Sequence, residues 1–241
     1  MNIIAFTLKI TILGVISSGI GGFLGGIIRP KDKNLLSSMY QITGGIMTGI
    51  VCFDMLPESF EMANVFYCII SVIIGIVLIY KMEVYAEKNT VNKKNSKYST
   101  TAIIVIFSMA LHNILEGLAI GASMMYSTSL GISVLVSMLL HDIPEGAIVG
   151  VSEYTSKTNI FKITIDSMLV GMSVGVGVFI GQILGTVSDE LIAISLSVAA
   201  GAMLYISSCE LIPNSIKISN NKSTYLMYII GILIGALITT M

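Results

Sequence analysis

Apolar residues fill this chain in long stretches, and polar residues collect in short interruptions between them. Breaking the sequence at those interruptions predicts eight helices, at about residues 4–28, 39–56, 65–81, 101–125, 130–151, 163–185, 191–212 and 225–240. Most approach the roughly 20 residues an α-helix needs to cross a bilayer. The one long connection, at about 82–100, is rich in Lys, Asn and Ser and reads as a solvated linker. The pattern therefore predicts an all-α polytopic membrane protein whose residues 1–241 form a single transmembrane domain.

Composition agrees with the pattern. Hydrophobic residues make up 54% of the chain and charged residues 11%, against about 25% charged in a soluble domain, and the mean hydropathy is +0.90. Cys52, Cys68 and Cys209 are scattered through apolar stretches and do not form a disulfide framework. The start, MNIIAFTLKI, has no basic leader or small-residue cleavage site and reads as the beginning of the first span.

Charge then orients the spans. Arg29, Lys31 and Lys33 fall in the first loop, and Lys81, Lys88, Lys93, Lys94 and Lys97 in or beside the third. Lys157 and Lys162 fall in the fifth, and Lys217 and Lys222 in the seventh. Every basic residue but Lys9 thus lies on one side, which the excess of Lys and Arg in cytoplasmic loops marks as the cytoplasm. Both termini are then extracytoplasmic.

Gly21 and Gly25, Gly45 and Gly49, Gly177, Gly181 and Gly185, and Gly231 and Gly235 repeat at four-residue spacing, which lets helix backbones pack closely. FDMLPES near the end of the second span echoes CELIPNS near the end of the seventh. An inverted repeat of the first three and last three spans around two central helices would explain the echo, and would put a binding site at the midplane.

Those central helices carry both histidines of the chain. SMALHNILEG at 108–117 and SMLLHDIPEG at 137–146 share one pattern. On a helix, residues four apart share a face, so His112 stands over Glu116 and His141 over Glu145. Asn113 and Asp142 follow the two histidines. A charged side chain at this depth costs about 2.5–3.5 kcal/mol, so its presence argues for function. Imidazole nitrogen with carboxylate oxygen suits zinc and other first-row divalent ions. The short connection between the helices predicts antiparallel neighbours with the two motifs facing each other. Pro144 leaves the Leu140 carbonyl without its helical donor. Nearer the helix ends, Asp54 and Glu58 suit an entrance that gathers cations, and Glu210 an exit; Asp166 suits a helix cap or a partner for Lys162.

HNILEG and HDIPEG resemble the paired fourth- and fifth-span signatures of the ZIP family of divalent metal transporters, particularly bacterial members with HNxPEG-like motifs. The span count, the longer third loop, and LPES and ELIP near the ends of the second and seventh spans are similar as well. The resemblance implies that His112, Glu116, His141 and Glu145 coordinate the transported ion, with Asn113 and Asp142 at an adjoining position and Met47 at a place where relatives supply a thioether. It also implies an elevator-like motion of a bundle holding the fourth and fifth spans. Three departures narrow this. Val174 and Gly175 stand where relatives often have a bridging glutamate and a proline, which favours one principal metal site. Leu115 replaces a proline of many relatives, and the third loop has no histidine.

The expected function is a secondary transporter that brings Zn²⁺, and also Fe²⁺, Mn²⁺ or Cd²⁺, into the cytoplasm across a bacterial inner membrane. The expected partners are the divalent ions and the lipid bilayer, with a homodimer left open and no nucleic acid; no cofactor is expected beyond the transported ion. The alternatives are an intramembrane metalloenzyme, which the absence of HExxH disfavours, and a metal-gated channel or sensor using the same ligands.

Overall fold

The structure is a computed structural model and describes residues 2–28, 32–91, 100–154, 158–186 and 188–239. Arg29, Lys31, Lys93, Lys94, Lys97 and Lys157, which helped to orient the spans, lie outside the described residues.

The regular elements are helices: α1 (Ile3–Ile28), α2 (Lys33–Ile50), α3 (Leu56–Met62), α4 (Val65–Val91), α5 (Thr100–Tyr126), α6 (Thr128–Tyr154), α7 (Ile160–Met172), α8 (Val174–Gly185), α9 (Asp189–Tyr205), α10 (Ile212–Ile218) and α11 (Lys222–Ile238). Several start on side-chain caps that satisfy otherwise orphaned N–H groups. Asp32 accepts from the Asn34 N–H at 2.8 Å, Asn159 from Lys162 at 2.8 Å and Ser188 from Leu191 at 3.3 Å. Among the described residues six helical segments are long and apolar enough to cross a membrane, and Lys222–Ile238 is a shorter apolar helix. Aliphatic side chains such as Ile73, Leu169, Leu233 and Leu237 are exposed, as suits a surface facing lipid.

Four boundaries differ from the sequence expectation. The second span does not end at Leu56. A π-helical turn, Val51–Met55, joins α2 to α3, so helix runs from Lys33 to Met62. Pro57 has no N–H and its ring would crowd the carbonyl four residues back; the wider turn relieves this, and the Leu56 N–H reaches back to the Val51 carbonyl. The seventh span repeats the device. A π-helical turn at Ile206–Leu211 precedes Pro213, the Ile212 N–H bonds to Ser207, and helix continues to Ile218. α4 passes Lys81 and runs to Val91, taking up half of the segment expected as a linker at 82–100. The sixth span is broken at Ser173, where backbone bonds from Ser173 to Val170 and from Val176 to Ser173, both 3.1 Å, tighten the turn.

Packing sorts the helices into two groups. In the first, α1 lies against α6, α7 and α8, and α5 against α6 and α8. In the second, α2 lies against α10 and α11, α9 against α3 and α4. Glycine makes the crossings close. A Cβ on Gly231 would lie 2.9 Å from the Gly45 Cα, and one on Gly235 would lie 3.0 Å from the Gly49 Cα. Side-chain hydrogen bonds tie each group internally. Gln182 donates to Thr7 at 2.8 Å and Ser173 to the Ala110 carbonyl at 2.8 Å in the first group. In the second, Ser37 pairs with Ser215 at 2.7 Å, Ser207 donates to the Gly44 carbonyl at 2.7 Å, and Tyr205 donates to Glu83 at 2.5 Å. The groups meet where α5 touches α4 and α9 and where α6 touches α2. Met47, Ile50, Val134, Met138 and Met203 belong to the buried apolar core.

Candidate metal centre

α5 and α6 are joined through Ser127 alone, which lays the two motif helices side by side. Helical periodicity then turns His112 and Glu116 of α5 toward His141 and Glu145 of α6. All four side chains are buried, as are Asn113 and Asp142.

Glu116 is the hub. Its Oε1 lies 2.9 Å from His112 Nε2 and is the direct partner of His141 Nε2. His112 Nε2 also lies 3.3 Å from Glu145 Oε1. The imidazole centroids are 6.2 Å apart. One ligand atom from each of His112, His141 and Glu145 falls within 4.8 Å of the others, and so do those of Glu116, His141 and Asp142. Five side chains on two helices thus form two overlapping triads that share His141.

His141 and Glu116 are hydrogen-bonded, but much of the remaining proximity is not hydrogen bonding. His112 Nε2 has no hydrogen-bond partner despite its two carboxylate neighbours, and neither do Glu116 Oε2, Glu145 Oε1, Asp142 Oδ1 or Asn113 Oδ1. Buried polar atoms are almost always satisfied, and buried carboxylates cost several kcal/mol unless compensated. Unpartnered nitrogen and oxygen atoms that converge in a dry interior are what a divalent cation satisfies.

The two auxiliary residues are anchored to their surroundings. Asp142 Oδ2 accepts from the buried Ser17 hydroxyl of α1 at 2.8 Å. Asn113 Nδ2 donates to the Val170 carbonyl at 3.1 Å, at the end of α7 beside the helix break. That bond holds the amide and leaves its Oδ1 buried and without a hydrogen-bond partner. Val174 is fully buried and, with an apolar side chain, adds no ligand.

The remaining candidates separate. Asp54 lines a cleft with Glu116, His141, Ile50, Met55 and Met138. Ala119 and Ile120, between Glu116 and the Ser127 connection, and Val134 and Met138, between that connection and His141, line it too, so the cleft reaches the site from the end where α5 and α6 join. Asp54 is buried, with Oδ2 unpartnered, and Glu58 is half-buried one turn further along. Met47 is fully buried within the apolar core. Glu210 is buried in the second π-helical turn, three residues before Pro213, as Asp54 stands three before Pro57. Asp166 pairs with Lys162 at 3.0 Å.

Sequence reasoning missed Ser17 and Glu153. Ser17 carried no signal of its own, being one small polar residue in an apolar helix. Glu153 did, as a carboxylate two residues past the apolar stretch ending at Val151. It is fully buried, and burial followed by the adjacent Asp166 carboxylate pushes it well above the usual carboxylate range.

Known proteins are similar in sequence to this chain, several of them along most of its length. A family model described as ZIP zinc transporter matches residues 86–241. The chain is 28% identical to the zinc transporter ZupT of Clostridium perfringens over 272 residues, covering 98% of this chain and 95% of that protein. It is 30% identical to the zinc transporter ZupT of Chlorobium limicola over 229 residues, 86% of each. The zinc transporter GufA of Myxococcus xanthus is 38% identical over 116 residues, 48% of this chain and 46% of that protein.

Proposed function

The chain belongs to the ZIP zinc transporter family, and from that premise we propose that it is a secondary carrier that moves Zn²⁺ into the cytoplasm through the His112/Glu116/His141/Glu145 cluster. The observation that carries the reading is the convergence of unpartnered nitrogen and oxygen lone pairs from α5 and α6 inside an apolar protein. Asn113 and Asp142 serve as auxiliary ligands or as the next resting place of the ion. The relatives are zinc transporters by name; Fe²⁺, Mn²⁺ and Cd²⁺ suit the same donors and are further cargoes.

The architecture we infer is eight spans with an inverted repeat. Its support is the matched pair of π-helical turns before Pro57 and Pro213 and a reciprocal packing scheme. Exchanging the second with the seventh span and the third with the eighth turns the α2–α11 contact into the α9–α4 contact; exchanging the first with the sixth and the fourth with the fifth turns α1–α6 into the contact of α5 with α7 and α8. Lys33, Lys88, Lys162, Lys217 and Lys222 sit at or near helix ends that this topology puts on the cytoplasmic side of a bacterial inner membrane, with both termini outside.

The cleft lined by Asp54 then opens outward and ends on Glu116 and His141. Asp54 and Glu58 draw cations in, the cluster strips and holds one, and Glu210 stands on the inner side. The first helix group carries the site and moves as an elevator against the second. This rests on the division of hydrogen bonds and glycine crossings within the groups and the apolar side chains where they meet.

Uptake of radiolabelled zinc into proteoliposomes tests the function. We expect uptake by the wild type and a fall to background for Glu116→Ala and His141→Ala. Normal uptake by both variants rules out the site; a wild type that binds zinc but moves none points to the enzyme or sensor instead.

A further inference from the structure

We propose that the cleft leading to the central cluster is also a binding site for a soft monovalent cation such as Cu⁺, held by the thioethers of Met55, Met138 and Met203, and that this ion clamps the two helix groups together and stops zinc passage. The binding half stands on the cleft alone; the blocking half rests on the transport reading above.

Methionine supplies 15 of the 241 residues of the chain but three of the ten side chains that line this cleft. Met55 ends the first π-helical turn, Met138 lies three residues before His141 on α6, and Met203 lies on α9. All three are buried, so water does not compete for their sulfur atoms. Leucine would fill these places equally well. What methionine adds is a thioether on a chain with three rotatable bonds, which lets the sulfur turn into the cleft. Thioether sulfur is a soft donor that suits Cu⁺, whereas zinc takes imidazole nitrogen and carboxylate oxygen in the central cluster.

Charge sorts the ions in the same direction. Neutral thioethers leave the charge of a bound ion uncompensated, and a buried charge needs a partner. Asp54 supplies one: its side chain is 7% exposed, its Oδ2 has no hydrogen-bond partner, and it lines the cleft next to Met55. One carboxylate balances a monovalent ion and leaves a divalent ion half-compensated. Zinc therefore moves on to the carboxylates of the central cluster, and a soft monovalent ion stays. Met138 belongs to the first helix group, and Met55 and Met203 to the second. An ion held by sulfur from both sides fixes the boundary along which the groups slide and fills the path to Glu116 and His141.

Silver, a soft monovalent ion that is stable in air, is the probe. Cys52 and Cys209 are exposed thiols that would bind it, while Cys68 is buried, so the full-length parent for the test carries Cys52→Ser/Cys209→Ser. Calorimetric titration of that detergent-solubilised protein with silver nitrate in chloride-free buffer should show a tight event. Met55→Leu/Met138→Leu/Met203→Leu, which nearly conserves side-chain volume, should lose the silver event and keep zinc binding. Glu116→Ala/His112→Ala should do the reverse. X-ray absorption at the silver edge on the loaded parent should show sulfur neighbours, a reading that needs no methionine variant to fold. In proteoliposomes, silver should stop zinc uptake by the parent and leave uptake by the methionine variant running. Silver binding that survives the three changes to leucine, or a shell of nitrogen and oxygen alone, overturns the site; zinc uptake that continues in the silver-loaded parent overturns the clamp. Zinc binding that survives in Glu116→Ala/His112→Ala contradicts the central site instead, and leaves the methionine cleft standing.

Discussion

Glu116 touches both histidines through one oxygen, and this makes it the residue on which the cluster turns. In the ion-free protein that carboxylate and its neighbours are buried with unsatisfied atoms, so the ligands oppose folding until an ion arrives. Zinc should then stabilise the protein by about 2.7 kcal/mol at a hundredfold excess over its dissociation constant. Ser17 and Asn113 act differently, because each holds a partner in place. Ser17→Ala removes the donor to Asp142 and should weaken zinc binding by about tenfold, as losses of hydrogen bonds to metal ligands do. Asn113→Ala breaks the bond to the Val170 carbonyl and should lower stability by about 1–3 kcal/mol. Zinc titration with thermal melts of each variant, with and without metal, separates the two roles. Protons compete with zinc for the same nitrogens and oxygens, so zinc affinity should fall as the pH is lowered from 7.5 to 5.5, about ten- to a hundredfold. Titration at several pH values checks the sign; affinity that rises on acidification contradicts these ligands.

The π-helical turns before Pro57 and Pro213 show how a local irregularity aims a side chain. A π turn rotates the residues after it relative to their places on a regular α-helix, and Asp54 sits inside the first such turn, facing the cleft. Pro57→Ala restores an N–H and the option of a regular α-helical turn. We expect it to leave the protein folded and to reduce zinc uptake severalfold by turning Asp54 away; unchanged uptake would show that the turn does not aim the entrance. The helices themselves were legible because apolar stretches and lysine placement are local signals, and the paired HNILEG and HDIPEG motifs marked the cluster because charge inside an apolar helix is costly. FDMLPES and CELIPNS announced a correspondence but not its form, since a proline followed by polar residues usually ends a helix. The break at Ser173 and the meeting of Glu153 with Asp166 depend on which helices become neighbours, and neighbour choice is not written in any one segment.

At the scale of the molecule, the site lies wholly in the first helix group, and the cleft that reaches it is lined from both: Glu116, His141 and Met138 from one, Ile50, Asp54 and Met203 from the other. A rigid site beside an apolar boundary can be exposed to each side of the membrane in turn without being taken apart, which is why we favour an elevator over a motion within the site. Everything proposed for transport depends on whether the ion is held by the residues that α5 and α6 bring together. X-ray absorption at the zinc edge, on protein loaded with one equivalent of zinc, reads that shell directly. We predict two imidazole nitrogens at about 2.0–2.1 Å with carboxylate oxygens completing the shell, and loss of one imidazole in His141→Ala. A shell containing sulfur, or one unchanged in His141→Ala, would contradict the assignment.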